Sequence, residues 1–149
     1  MKGRILVWPL AVLLVVALLG QTWRWRSRME ASQVLRRVEL VSMAAASAGR
    51  APANLMAGNL EALRQVEPLD PLEVGIPIAR GTQHLFLARP EAAMRSYQDS
   101  LELEPRPEGY LNLGRAQWLA GRQEEARRSF DTAVRLDPRL ATEIPAVAQ

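Results

Sequence analysis

The chain has 149 residues, 48% apolar and 23% charged, a globular balance sufficient for one modest domain with an appendage. It has no cysteine and one histidine, His84. That excludes disulfides, thiolate metal sites, lipoprotein anchoring, a cysteine nucleophile and any metal centre that needs two imidazoles. The formal charge of +3 is uneven: residues 1–37 carry seven cations against Glu30, and the remainder carries twelve arginines against fifteen acids. The basic excess flanks an apolar segment, where membrane proteins keep such charges, and not the body, where nucleic-acid binding would need it.

Ile5 to Trp23 contains no charged residue. As a helix it would extend about 28 Å, close to the thickness of a hydrocarbon core. Pro9 falls near the start, where a missing N–H costs least. Trp8 on one side and Trp23, Arg24, Trp25 and Arg26 on the other suit a membrane–water boundary, with rings at headgroup depth and arginines snorkelling outward. Residues 1–28 therefore read as a single-pass anchor with a basic, aromatic flank, in contact with lipid through 5–23. The rival reading is a cleaved signal peptide; its weakness is that no A-x-A motif comes after the apolar run. The expected location is a bacterial-type inner membrane. The positive-inside rule leans to a cytoplasmic body, but a short basic start also begins anchors that export the rest of the chain, so the side stays open.

The body is rich in Ala, Leu, Arg, Glu and Gln, with no strand-length alternation, and proline and glycine punctuate it at short-helix intervals. Sliding 74–105 onto 107–138, an offset of 33, brings Gly81 onto Gly114, Ala93 onto Ala126, Tyr97 onto Phe130 and Pro105 onto Pro138. Such a period signals stacked helical units. Tyr110, Leu113 and Gly114, then Ala126, Phe130 and Ala133, then Leu136-Asp137-Pro138 resemble a tetratricopeptide repeat. Gly114 and Ala126 are small where two helices cross, Phe130 fills the gap, and Pro138 stops the second helix. Gln117 departs from the pattern, as do Pro77 and Arg80 in the earlier copy. Residues 29–68 read either as a plain helical hairpin or as a degenerate first repeat over 37–68, carried by Leu40, Met43, Ala44, Met56, Leu60 and Leu63. Residues 139–149 read as a short capping tail. The expected fold is thus all-α: one transmembrane helix, then a short solenoid of tetratricopeptide-like hairpins.

No nucleotide cradle, zinc-protease motif or nucleophile elbow occurs. Glu124-Glu125 and Glu102/Glu104 point different ways on a helix, and Glu124 with Arg128 reads as a surface ion pair. His84 reads as a core or boundary histidine. No catalytic residue, metal, cofactor, small-molecule substrate or nucleic acid is expected. The resemblance implies a protein-binding groove lined by each repeat's first helix: Ile78, Thr82 and Leu85, then Leu111, Arg115 and Trp118. It also implies a non-enzymatic role, as an accessory or structural subunit of a membrane protein complex or its assembly scaffold. The alternatives are an adaptor recruiting a soluble client and, after signal cleavage, an exported assembly chaperone. Arg115 alone does not make the basic clamp that holds a free C-terminal carboxylate.

Overall fold

The computed structural model describes the backbone of residues 7–144, with side chains from residue 11 onward. Among the described residues six α-helices occur in order: α1 (Val7–Ser47), α2 (Ala53–Val66), α3 (Gly75–Phe86), α4 (Pro90–Leu103), α5 (Pro107–Leu119) and α6 (Gln123–Leu136). Short 3-10 turns lie at Glu67–Leu69 and Pro138–Glu143. The helices that touch are mainly sequence neighbours, α1 with α2 through α5 with α6, and α1 also touches α3. This is the contact pattern of a solenoid. Pro90 and Pro107 open α4 and α5, where the missing N–H is one no helix would use.

The same turn ends each pair's first helix. Leu87 N donates to Gln83 O, Ala88 N to Leu85 O and Arg89 N to His84 O, and an identical set 33 residues on joins Ala120, Gly121 and Arg122 to Ala116, Trp118 and Gln117. Ala48, Gly49 and Arg50 repeat it against Ala44, Ala46 and Ala45 at the end of α1. These are Schellman-type closures, which need a left-handed residue. Gly49 (φ 61°) and Gly121 (φ 77°) supply it, but the middle turn uses Ala88 at φ 53°. A Cβ is disfavoured there by about 1 kcal/mol or more. Ala88→Gly is therefore expected to stabilise the chain by roughly 0.5–1 kcal/mol, read as a raised urea midpoint at unchanged slope.

Seven residues before each left-handed position stands a small side chain: Ser42, Gly81 and Gly114. A Cβ on Gly81 would lie 2.6 Å from Tyr97 Cε1, and one on Gly114 2.6 Å from Phe130 Cε1. The aromatic ring of each second helix thus rests directly on the backbone of the first. Ala93, Ala126 and Ala133 are fully buried at the same crossings. At the near end, Ala31, Leu35 and Val38 of α1 pack with Leu63 and Val66 of α2 and with Ile76 and Ala79 of α3.

The residues that break the repeat pattern in α3 have local solutions. Pro77 is buried in the first turn of the helix, where it removes no needed hydrogen bond. Arg80 occupies the place of Leu113 but sends its guanidinium out to Glu67 (2.6 Å), Asp99 (2.5 Å) and the Ser96 hydroxyl (3.1 Å). At the far end the Pro138–Glu143 turn lays Leu140 over Leu111, Ala126, Phe130 and Ala133. Residues 145–149 of the expected tail lie outside the described ones.

Among the described residues no helix is long and apolar enough to cross a membrane. The expected span, 5–23, begins in residues outside those described. Its described side chains form the shorter apolar run 11–19, below the roughly 20 residues a span needs. The helix then continues unbroken through Arg24, Arg26 and Arg28 to Ser47.

Candidate functional site

The first helices of the first two pairs, the C-terminal half of α1 and α3, enclose a cleft of about 410 Å³. Leu40 and Met43 of α1 face Ile78, Ala79 and Thr82 of α3, with Arg36 and Glu39 at the edge. Leu40 and Met43 are largely exposed. The core positions of α1 are instead Ala31, Leu35, Val38 and Ala45, so Leu40, Met43 and Ala44 are not the packing residues of a repeat over 37–68. Leu40 and Met43 line the cleft, and Ala44 is exposed.

Behind the cleft lies a polar network. Gln83 is fully buried; its Oε1 accepts from Asn59 Nδ2 (3.0 Å), and its Nε2 donates to Ser42 Oγ (2.8 Å). One side chain therefore joins α1, α2 and α3 and holds the cleft walls in register. Thr82 Oγ1 donates to Ile78 O (3.1 Å) and lies 3.3 Å from the Tyr97 hydroxyl. Burial pushes the Tyr97 hydroxyl up to about 12.

The six expected groove residues separate. Ile78 and Thr82 line the cleft. Leu85 is half-buried against Ala93, Met94, Tyr97, Leu113 and Ala116. Leu111 is 2% exposed and belongs to the core beneath the C-terminal turn. That turn takes the place a following repeat would hold, so Leu111 presents no surface to a ligand. Trp118 packs in the same cluster, beside Leu140 and Ile144. Arg115 stays 35% exposed but is engaged, donating to Asn112 Oδ1, Glu143 O and Glu143 Oε2. The distal part of the expected groove is therefore occupied by the Pro138–Glu143 turn. Trp23, Arg24, Trp25 and Arg26 are exposed, and the Trp8 side chain lies outside the described ones.

Sequence reasoning missed Arg36, Leu40 and Met43 as cleft residues. The signal that could have found them is the left-handed Gly49, which sets the register of α1 against α3. Glu124 faces Arg127 (3.9 Å), not Arg128.

His84 is half-buried, and its Nδ1 is buried with no hydrogen-bond partner. In the next repeat Gln117, at the equivalent place, accepts from Ser129 Oγ (2.7 Å). The counterpart of Ser129 is Ser96, which is taken by Arg80 and Ala92 O. Burial, then Arg89, Arg80 and Arg95, hold the His84 pKa below 6.5. The unfolded chain therefore binds a proton before the native one does as pH falls. Stability is full above pH 6.5 and declines below it, down to the depressed native pKa. His84→Gln is expected to remove that slope, measured as thermal midpoint against pH between 7 and about 5.

Among the described residues no group of three His, Cys, Asp or Glu side chains could hold a metal. What the cleft offers is shape and apolar surface with one charge of each sign at its rim.

Residues 107–140 match the family model of the tetratricopeptide repeat. No curated protein sequence matches the chain. Among solved structures, the chain is similar to the second tetratricopeptide domain of Spaghetti (RPAP3) bound to the HSP90 peptide SRMEEVD. Identity there is 16% and TM-score 0.62, over 76% of this chain and 97% of that one. It is also similar to a tetratricopeptide protein of Thermus thermophilus, at 22% identity and TM-score 0.65 over 80% of this chain. That match spans 62% of the Thermus chain. The fold is an all-α solenoid of tetratricopeptide type. Residues 107–140, its hairpin α5–α6 with the start of the turn after it, are the part that matches the repeat model.

Proposed function

We propose that this protein is a membrane-anchored, non-enzymatic accessory or structural subunit that holds another protein beside the bilayer in the cleft between α1 and α3. The observation carrying this reading is the apolar lining of that cleft, the exposed Leu40 and Met43 against the half-buried Ile78, over the hydrogen-bonded floor of Ser42, Gln83 and Asn59. Such a lining suits an apolar helix or extended segment of a partner, since burying it removes apolar surface from water. That the RPAP3 domain holds an HSP90 peptide supports a protein ligand. Arg115, already held by Glu143, does not favour a free carboxylate.

The anchor reading draws on the exposed run Val12–Leu19, the exposed Trp23 and Trp25, and the arginines between them, extended by Ile5 to Leu10 of the sequence. Tethering raises the local concentration of the cleft at the membrane, so weak contacts become effective. Residues 29–68 then serve as a degenerate first repeat, because they share the left-handed closure and the small crossing residue of the other pairs. The proposed location is a bacterial-type inner membrane, with the positive-inside count leaning to a cytoplasmic body.

The test is Leu40→Glu with Met43→Glu, both exposed positions, in the full chain, extracted in mild detergent. Loss of the co-purifying proteins at an unchanged thermal midpoint supports the cleft; their full retention refutes it. Deleting residues 1–28 separates a structural subunit from an adaptor. A remainder that still captures its partner in solution favours the adaptor. Intact mass showing Met1 or Lys2 removes the exported-chaperone alternative.

A further inference from the structure

We propose that the loop 68–72 is a second membrane contact, docking on phospholipid headgroups beside the anchor helix and fixing how the solenoid stands on the bilayer. This rests on the anchor reading above. The loop packs along α1 at the turn and a half just past the apolar run. Trp23, Arg24, Ser27 and Arg28 of α1 and residues 68–72 line a cleft of about 480 Å³. Leu72 is 74% exposed and Trp23 72%. Two large apolar side chains thus stand uncovered on either side of one cleft. Pro68 and Pro71 restrict the loop, so it has little backbone freedom to lose on docking.

Charge completes the match. Asp70, the loop's single acid, lies 3.8 Å from Arg28. The acid is thereby answered from within the chain, while Arg24, which lines the cleft, and Arg26, turned to another side of α1, add positive charge at the same depth along the helix. That is the polarity an anionic phosphate layer attracts.

Depth decides the occupant. The headgroup layer on each side of a bilayer is about 5–7 Å thick. Trp23 to Arg28 rises about 7.5 Å along a helix. If 5–22 fills the hydrocarbon, these residues and the loop beside them lie in the headgroup layer. A bilayer held at two points on the solenoid resists tilting, and the cleft at Arg36–Met43 then stands about 12–22 Å above the headgroups.

The chain has no cysteine, so single labels are unambiguous. Leu18→Cys, Leu72→Cys and Leu119→Cys, each carrying an environment-sensitive fluorophore, are placed in the full chain in phosphatidylcholine–phosphatidylglycerol vesicles containing a headgroup nitroxide lipid. Leu119 is comparably exposed, at the end of α5 away from the loop. The expected result is quenching at positions 18 and 72, several-fold stronger than at 119. Quenching at 18 with none at 72 beyond that at 119 overturns the second contact and leaves the anchor standing. Quenching at neither 18 nor 72 overturns both. A blue-shifted but unquenched label at 72 means protein covers the loop, and also overturns the inference.

Discussion

Phe130→Ala is expected to cost about 3–5 kcal/mol of unfolding free energy. The ring is 2% exposed and fills the space left by Gly114, with Leu111, Ala126, Ala133 and Leu140 around it. Among the described residues the α5–α6 pair packs on α4 at one side and on the short Pro138–Glu143 turn at the other. In a stack where each unit leans on the next, its loss melts the C-terminal pair first. Hydrogen exchange should therefore show early opening of α5 and α6 while α1–α3 remain protected. The close approach also runs the other way. Gly114→Ala places a Cβ 2.6–3.1 Å from three ring atoms of Phe130, so overpacking of about 1–3 kcal/mol outweighs the roughly 1 kcal/mol that alanine gains in a helix. Combining Gly114→Ala with Phe130→Leu is expected to cost less than the sum of the two changes, because the smaller side chain makes the room the Cβ needs.

Gln83→Leu should cost about 2–3 kcal/mol, because it strips a partner from buried Asn59 and a donor contact from Ser42. Ser42 keeps its bond to Val38 O (2.7 Å), so Asn59 bears most of the loss. Replacing all three, by Ser42→Ala, Asn59→Leu and Gln83→Leu, should recover much of the stability, since an apolar cluster leaves nothing bare. Chemical denaturation of the singles and the triple reads this as a coupling energy. Additive losses would mean the three residues do not act as one network.

The later half of the fold is open to reading from the residues alone. Gly81 with Tyr97, Gly114 with Phe130, and the stops at Pro105 and Pro138 recur at 33 residues because close crossings tolerate few side chains. The first pair is harder. Its left-handed Gly49 stands 39 residues before Ala88, an interval that breaks the period. Without that period the register rests on Leu40 and Met43, which the structure places on the surface. Gln83 looks like an ordinary helical polar residue in the sequence; only three helices meeting reveal it as a core residue. Leu111 departs from its expected groove position for a different reason. Groove positions carry over from repeat to repeat only while another repeat comes next, and here a single turn with Leu140 takes that place. The apolar start is the part where residues and structure diverge most: 5–23 carries no charge, yet no helix among the described residues is long and apolar enough to cross a membrane.

Site-specific photo-crosslinking in cells tests the cleft most directly, from a photoreactive residue at Met43 or Thr82, against one at Gln98 on α4, away from the cleft. The same discrete protein adducts are expected from Met43 and Thr82, and none from Gln98. Adducts from Gln98 with none from the two cleft positions would mean that the partner binds elsewhere.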